Sequence, residues 1–147
     1  ARNEVPEIYN NDLIFKEGDP ISLLNGNDYN IISSGPMIHN SLSAAKILRE
    51  EYNIDIGVVD LPSIKPLNYE LLKSYIQNNK FIFSIEDHMV EGGIGGLISE
   101  YISSTNMKIQ HHIKGLNTFV SSGNPKELEK LYGLDTKGIC DFILSKI

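Results

Sequence analysis

A second cysteine is missing. Cys140 stands alone among 147 residues, so an internal disulfide and a multi-cysteine metal site are both excluded, and a cytosolic setting is the default expectation. No apolar run approaches the roughly 20 residues that a membrane-crossing helix needs. The opening residues Ala1 to Asp12 lack the apolar core of a signal peptide. Positive charge is short as well: 13 Lys plus Arg stand against 19 Asp plus Glu, a formal net charge of −6. A broad nucleic-acid surface would need clustered Lys and Arg, so neither a nucleic-acid nor a membrane partner is expected. Hydrophobic residues at 41% are ample for a core, and the length suits one domain, since domains cluster at about 100–150 residues.

The chain alternates between two periodicities. Residues 1–28 are polar and broken by Pro6, Gly18, Pro20 and Gly26. They are expected to form an arm or linker, with a possible edge strand at Ile21–Leu24. Tyr29–Ser33 is a compact strand stopped by Ser34-Gly35-Pro36, and Pro36 suits a first helical position. Ile38, Leu42, Ala45, Leu48 and Tyr52 then recur at helical spacing, ending at Asn53. Ile54–Leu61 is a β-branched strand. A helix opened by Pro66-Leu67-Asn68 follows, with Leu67, Leu71, Leu72, Tyr75 and Ile76 as its stripe. Phe81–Ile85 is apolar on both faces apart from Ser84, as an interior parallel strand should be. A loop, Glu86–Gly96, leads to a helix through Leu97, Ile98, Tyr101 and Ile102. Lys108–Ile113 is a weaker strand. Asn124-Pro125-Lys126-Glu127 opens a short helix. Asp135 caps a last one with Ile139, Phe142, Ile143 and Ile147 on its inner face. Strand and helix at short intervals predict an α/β fold, a mostly parallel sheet between two helical layers. Residues 29–147 form that domain.

In such sheets ligands gather beyond the carboxyl ends of the strands. Those ends carry Ser34-Gly35, Asp60, Glu86-Asp87-His88 and Lys114 to Asn117. The richest cluster runs from Glu86 to Gly96. Gly92, Gly93, Gly95 and Gly96 precede a helix, which suggests a phosphate cradle. Against it, Ile98 occupies the third glycine position of G-x-G-x-x-G, three carboxylates flank the loop, and no Walker sequence occurs. Glycine there can equally let the helix start lie close to the sheet. Asp87 and His88 could form an acid–base pair, yet neighbours on a strand point apart; Glu86 or His88 could instead fasten the loop to a partner. His39 stands in the first turns of a helix as a surface or interface group. His111 and His112 face opposite sides of a strand and cannot share a metal. Cys140 is expected to be a small buried hydrophobe. The elbow G-x-S-x-G is absent. No complete catalytic set emerges.

The order of the motifs resembles the C-terminal domain of transketolase and related thiamine-diphosphate enzymes. Arg2-Asn3-Glu4-Val5-Pro6-Glu7-Ile8-Tyr9 is similar to the linker entering that domain. Tyr29 to Gly35 with Ala44-Ala45 resembles its first strand and helix, and Val58 to Leu67 its second strand and "IKPLD" turn. Ser84-Ile85-Glu86-Asp87-His88 with Gly92-Gly93-Ile94-Gly95 resembles its "VEEH…GGLG" loop. Gly115 to Phe119 through Ser122-Gly123, then Tyr132 to Asp135 with Gly138-Ile139, resemble its closing motifs. Two departures occur: Asn68 replaces the turn aspartate, and Glu86-Asp87 replaces a common Glu-Glu.

The resemblance implies a three-layer α/β/α domain with about five strands, mostly parallel. It implies a parent enzyme that moves a two-carbon ketol unit between sugar phosphates in the pentose phosphate pathway, using thiamine diphosphate and a divalent metal such as Mg. In that family the cofactor lies between two other domains at a dimer interface. Gly18-Asp19 is followed by Pro20, so the G-D-G…N cofactor signature is lacking; no cofactor-binding, metal or catalytic residue carries over, and the isolated chain is expected to be inactive. Its role would be assembly with the remaining transketolase domains or a large subunit, in a homodimeric full enzyme. Tyr9, His39, Glu86, Asp87, His88, Gly92, Gly93 and Gly95 are the candidate interface or channel-edge residues. Deoxyxylulose-phosphate synthases and 2-oxoacid dehydrogenase β subunits carry similar domains. A stand-alone nucleotide-binding module and a docking domain for an acyltransferase core are the other classes left open.

Overall fold

The computed structural model describes residues 6–9 and 12–147; residues 1–5, 10 and 11 of the expected arm, with the first half of the linker motif, lie outside the described residues. Five strands form one sheet: β1 (Ile21–Leu24), β2 (Tyr29–Ser33), β3 (Ile56–Asp60), β4 (Phe81–Met89) and β5 (Gln110–Leu116). Their order across the sheet is β1-β3-β2-β4-β5. β1 lies antiparallel on the β3 edge, and the other pairs are parallel. The helices are α1 (Met37–Tyr52), α2 (Tyr69–Ile76), α3 (Ile94–Ser104), α4 (Pro125–Leu131) and α5 (Thr136–Leu144). The three-layer α/β/α fold and its mostly parallel five-stranded sheet are therefore as expected.

Alternation along each strand divides the core in two. Ile31, Val58, Phe83 and Ile85 face Ala44, Ala45 and Leu48 of α1 and Ile139 and Ile143 of α5. Ile32, Val59 and Ile82 face Leu72 and Ile76 of α2 and Ile98 of α3. Each such side chain, fully buried, stabilises the fold by roughly 1.5–3 kcal/mol. The connections are closed by local chemistry. Asn53 takes a left-handed conformation, φ 54°, and its N–H bonds to the Leu48 carbonyl to end α1. Asn68, Asn124 and Asp135 cap α2, α4 and α5 with side-chain oxygens.

Several boundaries differ from expectation. β3 begins at Ile56 rather than Ile54. Pro66 and Leu67 precede α2, which starts after Asn68. β4 does not stop at Ile85: it continues through Glu86, Asp87 and His88 to Met89, where pairing with β5 resumes at Leu116 after a shift in register. β5 in turn starts at Gln110 and absorbs Lys114, Gly115 and Leu116. Ile147 is half exposed beyond the end of α5 rather than on its inner face.

Candidate functional site

The chain leaves β2 toward β3 on one side and returns to β4 on the other. The carboxyl ends of β2 and β4 thus diverge into connections that run opposite ways, the place where open α/β sheets leave a crevice. A cleft of about 310 Å³ lies there, lined by Ser34 and Gly35 after β2, Glu86, Asp87 and His88 of β4, Gly92, Gly93, Ile94 and Leu97 around the start of α3, and Ile64 from the β3–α2 connection. Of the eight candidate residues, Glu86, Asp87, His88, Gly92 and Gly93 meet at this cleft. Gly95, Tyr9 and His39 do not line it.

Glu86 explains the glycine-rich turn. It is only 4% exposed, and its two carboxylate oxygens accept the backbone N–H groups of Ile94 at 2.8 Å and Gly95 at 3.1 Å. The first turn of α3 is thereby satisfied, and its positive dipole end neutralised, by a residue of the neighbouring strand. The close approach demands glycine. A Cβ on Gly93 would lie 1.9 Å from Glu86 Oε2, and one on Gly95 would lie 2.5 Å from Ile113 Cγ2 and 2.8 Å from Ser84 Oγ. Burial pushes the Glu86 carboxyl above its ordinary range, and the two N–H bonds oppose that only in part. The turn therefore does not fit a phosphate or a cofactor diphosphate: the N–H groups such a group would need are bonded to a carboxylate.

Asp87 and His88 are exposed at the mouth. The His88 ring donates through Nδ1 to the Met89 carbonyl, 3.0 Å away, rather than to Asp87. The Ser–His hydrogen bonds found among the described residues belong to His111, which sits between Ser99 Oγ and Ser84 Oγ at 2.9 Å each. Burial, helped by neighbouring His112, lowers the His111 pKa to about 4. His112 lies on the opposite side of β5, stacked on Phe83, so the two histidines face apart as expected. Cys140 is buried, its Sγ 3.7 Å from the Ala44 carbonyl, and burial raises its thiol pKa. Half-buried His39 holds its Nε2 away from solvent, without a partner among the described residues.

Tyr9 is engaged inside the molecule. Its hydroxyl donates to Asp60 Oδ2 at the carboxyl end of β3. Asp60 is 5% exposed, and its Oδ1 is buried with no partner among the described residues. Burial raises its carboxyl pKa despite the Tyr9 bond, and burial together with Asp60 raises the Tyr9 phenol well beyond its usual range. Sequence reasoning missed this clasp, and it missed the Ser84–His111–Ser99 chain. The one available signal was a carboxylate closing an otherwise apolar strand.

Comparison with known proteins follows the same outline. The family profile "Transketolase, C-terminal domain" matches residues 22–139. One of the apulose-4-phosphate transketolase subunits of Actinobacillus succinogenes is 32% identical over 144 residues, which are 97% of this chain and 46% of the relative. The 1-deoxy-D-xylulose-5-phosphate synthase of Clostridium kluyveri is 35% identical over 126 residues, 85% of this chain but 20% of the synthase. A solved structure described as a split gene transketolase, inactive beta4 tetramer, superposes with a TM-score of 0.89 at 31% identity, covering 98% of this chain and 47% of that one. The chain thus spans about half the length of the transketolase relatives it matches. With the sequence match and the superposition both running through nearly all of its sheet and helices, the chain belongs to the transketolase C-terminal domain family.

Proposed function

We propose that this chain serves as the C-terminal domain of a transketolase whose catalytic halves are divided between two polypeptides. The assembled enzyme would transfer a two-carbon ketol unit from a ketose phosphate to an aldose phosphate in the cytoplasm, with thiamine diphosphate and a divalent metal held by its other domains. This domain would supply scaffolding and subunit contacts, and its cleft would lie toward the other domains. The observation that carries the reading is the pair of coverages: 97% of this chain against 46% of the apulose-4-phosphate transketolase polypeptide. The synthase alternative matches less of this chain and only a fifth of the relative. A nucleotide-binding module is disfavoured by the Glu86 carboxylate seated on the first N–H groups of α3.

The test is reconstitution. The remaining transketolase polypeptides from the same genome are combined with and without this chain and assayed with ketose phosphate, aldose phosphate, thiamine diphosphate and magnesium. This chain alone should give no rate, and its addition should restore or stabilise turnover. The reading fails if the other pieces are equally active, equally stable and equally assembled without it.

A further inference from the structure

A shallow groove of about 430 Å³ lies between the start of α2 and one face of α3. Leu97, Glu100, Tyr101 and Ser104 line it at steps of three and four, the spacing that puts side chains on one helix face. Tyr69, the first residue of α2, forms the facing wall. The Tyr69 and Tyr101 rings lie 4.8 Å apart at an angle of 36°, and the Tyr101 hydroxyl donates to the Tyr69 carbonyl at 3.0 Å. That bond fastens α3 to the start of α2, yet it uses only the backbone of Tyr69. The Tyr69 ring, in a residue 41% exposed, is left as an aromatic surface in water. Leu97 borders both this groove and the switch-point cleft.

The polar lining of the groove has one sense. Tyr101 spends its hydrogen on the Tyr69 carbonyl, and Ser104 spends its own on the Tyr101 carbonyl at 2.9 Å, so each hydroxyl oxygen offers the groove only lone pairs. The ionised Glu100 carboxylate accepts and cannot donate. Among the lining side chains only the Tyr69 hydroxyl keeps a hydrogen to give. Charge has the same sense. Glu100 and Glu70 are both exposed, and neither makes an ion pair with a described residue. Burial, then Glu70 and Tyr69, raise the Tyr101 phenol, which keeps that ring neutral. Lys73, one turn past Tyr69 on α2, occupies neither ring: the cation–π contacts of the described residues are made by Lys80, Lys114 and Lys146 on Tyr29 and Phe142. Acceptors, negative charge and an aromatic surface together match a flat cation rich in N–H donors. A guanidinium can lie on the Tyr69 face while its fork reaches a carboxylate, and Leu97 gives its alkyl stem apolar surface. An anion would meet Glu70 and Glu100, and an ammonium would bring a point charge in place of a plane.

We propose that the groove between α2 and α3 binds an alkylguanidinium group, with the cation stacked on Tyr69, its N–H fork on the Glu100 carboxylate and its stem along Leu97. The group can come from a free guanidino compound or from an arginine side chain of a peptide. The site is independent of the assembly role proposed above.

The experiment titrates the whole chain with ethylguanidinium, with a capped tripeptide carrying a central arginine, and with the same tripeptide carrying neutral citrulline. Magnetic resonance of the tyrosine rings and backbone amides reads the binding. Saturable shifts should appear at Tyr69, Leu97 and Glu100 with both guanidinium probes, and the citrulline peptide should bind at least about tenfold more weakly. Glu100→Gln and Tyr69→Leu should each weaken binding about tenfold. Tyr69→Phe, which keeps the ring, should bind as wild type, and so should Tyr52→Leu on α1, across the sheet. Glu100 is exposed, so Glu100→Gln should keep the wild-type melting temperature; if Tyr69→Leu does not, Glu100→Gln and the citrulline peptide decide. Tighter binding of the arginine peptide than of ethylguanidinium supports the site and assigns its ligand to a protein segment; equal binding supports it and assigns a free guanidino compound. Equal binding of the arginine and citrulline peptides, undiminished binding by Glu100→Gln, or no saturable shift with either guanidinium probe overturns the site. The measurement needs this chain alone, so a failed reconstitution overturns the assembly role and leaves the groove standing.

Discussion

Glu86 occupies the place where a glycine-rich helix start would otherwise invite an anion, and the glycines around it are sized to that carboxylate. Gly95→Val would set its Cβ 2.5 Å from Ile113 Cγ2 and 2.8 Å from Ser84 Oγ and should cost about 1–3 kcal/mol through overpacking. Exposed Glu91→Ala should change melting by no more than about 0.5 kcal/mol. Equal melting temperatures for the two variants would refute the packing account. The buried titratable groups set a pH dependence with opposing signs. His111 has its folded pKa lowered to about 4, below the unfolded value near 6.5. Its contribution is therefore fully present above pH 6.5 and is lost as pH falls toward 4, by up to roughly 3 kcal/mol. Asp60 and Glu86 are raised instead, so their contribution is full in acid and lost as pH climbs through their folded values. Acidification thus gains from the carboxyls while it loses from His111. His111→Gln should melt lower than wild type at neutrality, yet lose less stability between pH 6.5 and 4. A variant whose melting falls in parallel with wild type over that window would show that His111 is not the titrating group.

The elements explain a substitution that looked mild from sequence. Asn68 stands where the family turn has aspartate. Its Oδ1 accepts the Leu71 N–H at 3.1 Å to cap α2, while its Nδ2 donates to Asp19 Oδ1 at 2.8 Å. An aspartate could make the first bond but would set a second carboxylate against Asp19. Asn68→Ala should cost about 1 kcal/mol as a lost cap. Asn68→Asp should also melt below wild type, and adding Asp19→Asn should restore it; a stable Asn68→Asp single variant would remove the coupling. The strands and helices were legible because their apolar spacing is local: the stripe Ile38, Ala45, Leu48 of α1 and the apolar run of β3 needed no partner to be seen. The end of β4 was not legible. Past Glu86 the strand emerges from the core, its side chains become polar, and it pairs with β5 again only at Met89, after a shift in register. The Glu86–Gly95 contact was half visible, as a carboxylate eight or nine residues before a glycine-rich helix start. The Tyr9–Asp60 clasp was invisible, since it joins residues 51 apart with no periodic signal between them.

At the scale of the whole molecule, the cleft sits where α/β sheets place ligands, yet its chemistry is that of an edge. Its helix start is bonded to Glu86, its mouth carries Asp87 and His88, and among the described residues no group of three or more His, Cys, Asp or Glu side chains could hold a metal ion. Among the described residues no helix is long and apolar enough to cross a membrane. On the division of labour proposed above, the other domains hold the cofactor, and thiamine diphosphate should report assembly rather than the fold of this chain. A ligand that binds only the folded complex stabilises it by about 2.7 kcal/mol at a hundredfold excess over its dissociation constant, which is a shift of several degrees for a protein of this size. Thiamine diphosphate with magnesium should accordingly leave the melting temperature of the isolated chain unchanged. In the reconstituted enzyme the same addition should raise the transition that contains this domain. A rise of several degrees in the isolated chain would place a cofactor site within these residues and overturn the division of labour. No rise in the complex would show that this domain is not coupled to the cofactor-binding half.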